Sequence, residues 1–355
     1  MKKRVLLGMS GGVDSSASAL VLLRSGYDVT GVTMLLHTGE NSSGDQCGSS
    51  REAEDAAAVC RLLGIPHQVL DFSEEFSQRV KQDFISEYLA GRTPNPCIRC
   101  NRYLKFGMLL EYALANGFDF VATGHYALVE PLGDRWVLRC SPTAKDQSYV
   151  LYQLNQHQLA HTLMPLGRME KPEARRLAQE AGLPVANKPD SQDICFIPDG
   201  DYNSFIARTC GKEPEPGNFV DAEGHVLGTH RGITCYTIGQ RKGLGLSFGQ
   251  PMYVTKIDPQ ANEVTLGPEG SQYAPGLIAG DCNWIAFEQP GEPFRAQVKV
   301  RYKAKPADAW IFPMENNQMR IAFDEPQRSV TPGQAAVLYQ DDLVLGGGTI
   351  LTPCR

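Results

Sequence analysis

The chain has 355 residues, 42% of them hydrophobic, so it can bury a substantial core and is too long for one compact unit. Its 34 Lys and Arg stand against 40 Asp and Glu, a net charge of -6, which excludes a polycation that coats nucleic acid indiscriminately; any nucleic-acid contact would have to come from local basic patches. No run of about 18 apolar residues occurs, and behind Met1-Lys2-Lys3-Arg4 the apolar stretch Val5 to Met9 is too short for a secretion signal. A cytoplasmic chain without a membrane partner is therefore expected, with its 10 cysteines kept as thiols rather than built into a disulfide framework.

In chain order, strand-like and helix-like segments alternate as far as about Tyr126. Arg4 to Met9 reads as a strand, Val13 to Arg24 as a helix closed by Gly26, and Val29 to Leu35 as a strand. Glu52 to Leu63 follows as a helix closed by Gly64, Gln68 to Phe72 as a strand, and Glu74 to Leu89 as a helix. Tyr103 to Ala115 is a helix closed by Gly117, and Phe118 to Thr123 a strand. Short, nearly continuous apolar runs suit strands covered on both faces, and the glycines suit the left-handed position past a helix end. The expected fold class is α/β, a doubly wound parallel sheet with ligands at the carboxyl ends of its strands. Leu128 to Leu138 reads as a hairpin around Gly133-Asp134, and Pro172 to Ala181 as a helix. Beyond about Gly200 short β-type runs such as His225 to Leu227, Met252 to Ile257, Val264 to Leu266 and Ala335 to Tyr339 replace helical periodicity, as in small barrels. Boundaries near 200 and 275 divide the chain into 1-200, a small central unit 201-275, and a C-terminal β-barrel 276-355.

Ser10-Gly11-Gly12-Val13-Asp14-Ser15 falls between the first strand and the first helix, where two glycines let consecutive N-H groups curl around an anion at a helix N-terminus. No lysine follows, so this is neither a Walker A loop nor a G-x-G-x-x-G turn. It resembles the SGGxDS pyrophosphate loop of ATP pyrophosphatases, which cleave ATP between the α and β phosphates and adenylate a carbonyl oxygen. Asp14 is then expected to hold Mg2+ or to orient the turn.

A second chemical signal is Cys97-Ile98-Arg99-Cys100, entered through Pro94-Asn95-Pro96. With a helix expected to begin near Tyr103 and Arg99, Arg102 and Lys105 close by, Cys100 is expected to be a thiolate. The pair alone would fit half a zinc site, but no second C-x-x-C or H-x-x-x-H supplies further ligands; a redox pair would not explain the phosphate loop. Cys60 lies on an apolar helical segment, and Cys47, Cys140, Cys210, Cys235, Cys282 and Cys354 lack partners at motif spacing, so all seven are expected to pack structurally.

Taken with Thr123-Gly124-His125-Tyr126, Lys145-Asp146-Gln147-Ser148-Tyr149, Ser191-Gln192-Asp193-Ile194-Cys195-Phe196-Ile197 and Tyr236 to Gly245, these motifs closely resemble the tRNA-specific 2-thiouridylases through most of the chain. The resemblance implies adenylation of the C2 oxygen of a wobble uridine, then sulfur transfer with release of AMP and pyrophosphate, using ATP, Mg2+, tRNA and a sulfur donor protein or sulfide source. It implies ATP contacts at Gly8, Met9, Ser10, Gly11, Gly12, Val13, Asp14, Ser15, Met34 and Gly124, a nucleophile at Cys100, and a persulfide carrier at Cys195. It implies tRNA contacts at Asn95, Pro96, Cys97, His125, Lys145, Asp146, Gln147, Arg301, Tyr302 and Gln334. A base held in a stacked loop would have to be flipped out to react.

Many relatives carry aspartate where this chain has Cys97. Three thiols at Cys97, Cys100 and Cys195 leave two routes open: a persulfide on Cys195 resolved by a Cys100 to Cys195 disulfide, or a 4Fe-4S cluster on the three cysteines with one iron open to hydrosulfide. Between Phe294 and Ala307, Arg295, Lys299, Arg301, Lys303 and Lys305 are all odd-numbered, which on one strand would make a cationic face for a phosphate backbone. Gly239 to Gly245, with Arg241 and Lys242, is a second phosphate candidate, and the loop Thr38 to Ser50 a candidate lid. The competing readings are an amidating synthetase with the same loop, which commonly carries a glutaminase unit or an N-terminal cysteine, and a non-enzymatic nucleotide-sensing RNA-binding protein.

Overall fold

The computed structural model describes residues 2-37, 49-189, 194-288 and 290-354. In chain order the strands are β1 (Arg4–Gly8), β2 (Asp28–Leu35), β3 (His67–Asp71), β4 (Phe120–Ala122), the hairpin β5 (Ala127–Leu132) and β6 (Arg135–Cys140), and β7 (Thr162–Leu163). Four further strands, β8 (Gly217–Val220), β9 (Val226–His230), β10 (Met252–Asp258) and β11 (Glu263–Pro268), make the central sheet. The last six are β12 (Tyr273–Trp284), β13 (Phe294–Lys299), β14 (Ala307–Met314), β15 (Gln318–Arg328), β16 (Ala335–Gln340) and β17 (Leu343–Cys354).

The first sheet is parallel throughout, in the order β3-β2-β1-β4-β7. Its strands read as short apolar runs because both faces are covered: one core gathers Leu6, Val32 and Val121 with Phe76, Phe84 and Leu104, the other Val5, Leu7 and Ala122 with Leu20, Val59 and Leu177. Successive strands depart in opposite directions from β1, which opens a crevice between the loops that leave β1 and β4. The helices that matter for the site are α1 (Val13–Arg24), α2 (Ser49–Leu63), α3 (residues 73-89) and α4 (residues 96-115).

Three features differ from the sequence expectation. The helix expected from Tyr103 begins at Pro96: Asn95 Oδ1 accepts the Cys97 N-H at 3.2 Å and proline occupies the first turn, so a segment that reads as proline turns is a capped helix start. Both α3 and α4 contain π-helical stretches, Ser77–Lys81 and Asn101–Met108, which periodicity averages away. The hairpin β5-β6 does not extend the first sheet; β6 pairs with β17 through Leu138 and Val344, so it joins the C-terminal barrel, which β12 closes by pairing with β17.

A shared apolar core follows from that pairing. Ile98 and Phe106 of α4, Leu138 of the hairpin, and Tyr149, Tyr152, Val337, Tyr339 and Val344 are all buried in it. The charge stripe does not form: β13 ends at Lys299, Arg295 binds Asp324 and covers Trp310, Lys299 lies over the Tyr339 ring, and Arg301, Lys303 and Lys305 follow outside the strand. Among the described residues no helix is long and apolar enough to cross a membrane. The Thr38 to Ser50 loop and Ser191-Gln192-Asp193 fall wholly or largely outside the described residues.

Candidate active site

The turn after β1 is shaped by two glycines. Gly11 has φ +62, and a Cβ there would meet Glu52 O at 2.5 Å, so only glycine lets the turn lie against α2. Gly12 is the N-cap of α1 with no side-chain cap, which leaves the first-turn N-H groups to be satisfied by an anion. The hydroxyls hold the turn together: Ser15 Oγ accepts the Ser10 N-H and donates to Gly12 O, while Ser16 Oγ donates to the same carbonyl at 2.8 Å. From the β4 side, Gly124 closes on the turn so tightly that a Cβ would sit 3.0 Å from Asp14. Gly8 and Met9 lead into this crevice, Val13 is buried beneath it, and Met34 packs at the end of β2.

Asp14 has a partner set that its sequence position does not reveal. Both of its oxygens accept from Lys171 Nζ at 2.8 Å, and Oδ1 also accepts from Tyr126 OH at 2.6 Å. These contacts fit the expectation that Asp14 orients the turn. On the other flank Lys188 Nζ donates to Gly11 O at 3.0 Å and to Asp55 at 2.8 Å. These two lysines were missed by motif spacing. The available signal was chemical: a pyrophosphate loop without its own lysine needs cations from elsewhere, and each lysine stands directly before a proline, Pro172 and Pro189.

The cysteines converge. Cys100 is buried in the core that also holds Phe196 and Ile197, while Cys97 and Cys195 are exposed. The charges of Cys97 and Cys100 both act on Cys195, so stretches almost a hundred residues apart in sequence meet at one place. The thiolate expectation for Cys100 is overturned. Cys97, not Cys100, occupies the helix N-terminus, Arg99 pairs with Asp83 and Asp281 and Arg102 with Asp281, and burial raises the Cys100 pKa against the opposing pull of Lys105. Cys195 keeps an exposed surface, yet the atoms packed around it desolvate the thiol enough to push it up to about 12, with Cys100 and Cys97 adding to the shift. The larger cause is burial, so both thiols are protonated in the free protein.

Among the described residues one group of three His, Cys, Asp or Glu side chains has ligand atoms within 4.8 Å of one another: Asp221, Glu223 and His225, on the central sheet and away from the cysteines. Cys97, Cys100 and Cys195 do not form such a group at that spacing.

The remaining candidates fall into two places. Gln334 Nε2 donates to Thr93 O at 2.9 Å, which brings the barrel to Asn95 and Pro96. Tyr302 OH donates to Asp146 O at 2.8 Å, which brings Arg301 and Tyr302 to the Lys145-Asp146-Gln147 turn. Within that turn Asp146 caps Ser141 and Ser148, and Gln147 accepts from the Tyr126 N-H, so both are spent on local structure. His125 Nδ1 lies 2.8 Å from Thr123 Oγ1, and burial, with Lys105, holds its pKa well below the ordinary value, leaving a neutral ring. Cys60 and Cys282 are buried as expected; Cys210 is exposed and is not a packing residue, and Cys47 lies outside the described residues.

Protein-family models match this chain in three consecutive blocks: a tRNA methyl transferase HUP domain over residues 3–199, a tRNA methyl transferase PRC-barrel domain over 203–268, and an aminomethyltransferase beta-barrel domain over 274–350. The tRNA-specific 2-thiouridylase MnmA of Acetivibrio thermocellus is 50% identical, covering 98% of this chain and 99% of its own, and that of Clostridium kluyveri is 49% identical, covering 99% of both. The chain belongs to the tRNA-specific 2-thiouridylase family. Among solved structures, a predicted subunit of tRNA methyltransferase from Methanocaldococcus jannaschii is similar at 20% identity and TM-score 0.34, covering 59% of this chain and 90% of that one.

Proposed function

We propose that this chain is a tRNA-uridine 2-sulfurtransferase that uses ATP to adenylate the C2 oxygen of the wobble uridine and then replaces that oxygen with sulfur. The observation that carries the reading is the meeting of Cys97, Cys100 and Cys195 in one charge-coupled group within a fold whose β1–β4 crevice holds an uncapped, glycine-lined helix N-terminus. Gly11, Gly12 and the first turn of α1 bind the phosphates, Gly124 and Met34 bound the nucleotide, and Lys171 and Lys188 supply positive charge on either flank. Mg2+, when bound, neutralises charge on the phosphate oxygens.

The carbonyl oxygen of uridine is a poor leaving group, and transfer of AMP to it with loss of pyrophosphate makes it a good one. In the persulfide route the terminal sulfur on Cys195 attacks C2. The Cys100 thiolate then attacks the inner sulfur as AMP departs, leaving C2=S and a Cys100 to Cys195 disulfide. Both thiols must lose protons on the way, and Lys105 is the cation whose charge favours that at Cys100 and at Cys195. The exposed Cys97 within reach of Cys195 favours a second reading, in which Cys97, Cys100 and Cys195 hold a 4Fe-4S cluster. Such a cluster, when bound, supplies an iron with an open position for external sulfide.

For the tRNA, Asn95, Pro96, Cys97, His125, Lys145, Asp146, Gln147, Arg301, Tyr302 and Gln334 are proposed contacts, as is the exposed Arg241-Lys242 loop of the central sheet. The links from Gln334 to Thr93 and from Tyr302 to Asp146 support one continuous RNA surface across the first sheet and the barrel. Units of 1-200, 201-275 and 276-355, a sulfur donor protein or sulfide source as partner, and a cytoplasmic location complete the proposal.

The test is nucleoside mass analysis of tRNA treated with ATP, a sulfur source and either wild-type protein or the single variants Cys100→Ser and Cys195→Ser. Wild-type protein is expected to form 2-thiouridine and each variant none, with tRNA affinity kept. Thiolation at the wild-type rate in either variant would remove the assignment. Iron and sulfide analysis after anaerobic purification separates the two routes, since full activity in iron-free protein excludes the cluster.

A further inference from the structure

The helix α4 has two chemically distinct faces. Cys97 and Cys100, three residues apart, turn toward Cys195 and the core of the first sheet. Arg99 and Arg102, also three apart, turn the other way, toward the barrel. There Asp281 Oδ2 lies 2.5 Å from Arg102 Nη1 and 3.6 Å from Arg99 Nη1, while Arg99 Nε also donates to Asp83 Oδ2 of α3 at 3.3 Å. Among the described residues, the two ion pairs that join α4 to the barrel both end on Asp281.

The barrel makes a special structure to present that carboxylate. Asp281 sits in the left-handed region at φ 50, at an irregularity where the β12–β17 register shifts between Gly280 and Asn283. Its neighbours lock the bulge to the first unit: Asp281 O accepts from Gln153 Nε2 at 3.1 Å, and Asn283 Nδ2 donates to Tyr152 O at 2.7 Å and to Leu154 O at 2.9 Å. Beside the ion pair the helix and barrel stand apart, leaving a cavity of about 350 Å3 lined by Arg102, Tyr103, Asp281, Cys282 and Asn317 among others. At this point the ion pair bridges the gap, while elsewhere Ile98 and Phe106 of α4 pack into the core shared with the barrel.

The helix itself needs an outside reference. Directly after Cys100 it passes through the π-helical stretch Asn101–Met108, which is anchored from outside where Asn101 Nδ2 donates to Val150 O at 3.0 Å and Gln158 Nε2 donates to Arg102 O at 3.3 Å. Asp281 holds Arg102 and shares Arg99 with Asp83, so it helps to set the angle at which α4 presents Cys97 and Cys100. With a side chain 42% exposed, the ion pair contributes little to stability, so its location on the cysteine helix is better explained by geometry than by fold energy.

We propose that Asp281 is a positioning residue for sulfur transfer: it registers the cysteine helix against the barrel so that RNA held by the barrel meets the cysteines at reacting distance. The proposal rests on the thiouridylase reading and adds a residue that touches neither nucleotide nor sulfur. The experiment measures two half-reactions on the full chain, tRNA-dependent pyrophosphate release from ATP and 2-thiouridine formation, for wild type, Asp281→Asn, Asp281→Gly and Asp281→Glu. Asparagine tolerates the left-handed backbone and glycine prefers it, so both variants should fold.

Pyrophosphate release is expected to stay at the wild-type level in Asn and Gly variants while thiolation falls about ten- to a hundredfold, as for a group displaced by an ångström or so; Asp281→Glu should recover part of it. Wild-type thiolation in Asp281→Asn, or equal loss of both half-reactions in Asn and Gly variants, overturns the proposal. If the unsubstituted chain makes no 2-thiouridine, the functional reading fails first and takes this one with it.

Discussion

At the scale of single residues, the thiols behave contrary to the usual picture of a reactive cysteine. Burial raises Cys100 and pushes Cys195 up to about 12, so neither is ionised at neutral pH without substrate. Iodoacetamide labelling with peptide mapping should modify exposed Cys97 and Cys210 before Cys195 at pH 8. Labelling of Cys195 should be slow and should accelerate roughly tenfold per pH unit above that. Labelling of Cys195 at the rate of free cysteine at pH 7 would show that a thiolate is already present. The same shift has a sign for stability. A folded-state thiol pKa above the unfolded value favours folding fully below the unfolded pKa, and that contribution is lost as pH rises through the folded value. At the phosphate turn, Lys171→Met leaves the Asp14 carboxylate with Tyr126 but no cation. A loss of about 2 kcal/mol in a urea melt and a raised KM for ATP are expected. Gly124→Ala places a Cβ 3.0 Å from Asp14, so the KM for ATP should rise with little change in the melt.

At the scale of elements, strands and helices up to Ala115 were largely legible because each apolar run is bounded by a glycine whose positive φ ends the helix: Gly26 at 85, Gly64 at 67 and Gly117 at 75. The start of α4 was not legible. Two prolines flanking Asn95 look like a turn, and only the side-chain cap shows that Asn95 begins a helix. The π-helical stretch was hidden for a similar reason, since its extra residue preserves an apolar stripe on either side. Gly107 reports on it directly, because a Cβ there would lie 3.0 Å from Arg102 O. Alanine in place of a helical glycine ordinarily stabilises by about 1 kcal/mol. Gly107→Ala is expected to give no such gain in a urea melt, and a full gain would mean that the turn relaxes to an ordinary α-helix.

For the whole molecule, the hairpin β5-β6 ties the first sheet to the barrel through β17, over a core that includes Ile98, Phe106, Leu138, Tyr339 and Val344. A chain cut at 275 would expose that apolar surface. It should be recovered as aggregate or as a species lacking a cooperative melt, whereas the full chain should melt its first sheet and barrel together. Two separate transitions for those parts would show that the shared core is not cohesive. The cysteine helix and the barrel bulge at Asp281 face each other across this junction, so the proposed sulfur chemistry and RNA contact would depend on the same docking.

Residue order alone settled the parallel sheet and the glycine turn between its first strand and first helix, because glycine conformation, apolar runs and motif spacing are local properties written into neighbouring positions. The protonation of Cys100 and Cys195, the capture of Asp14 by Lys171, the break-up of the Arg295 to Lys305 stripe and the gripping of α4 by Asp281 were decided only on folding. Each depends on burial or on a charge that arrives from a distant segment, and distance in space is not encoded in distance along the chain.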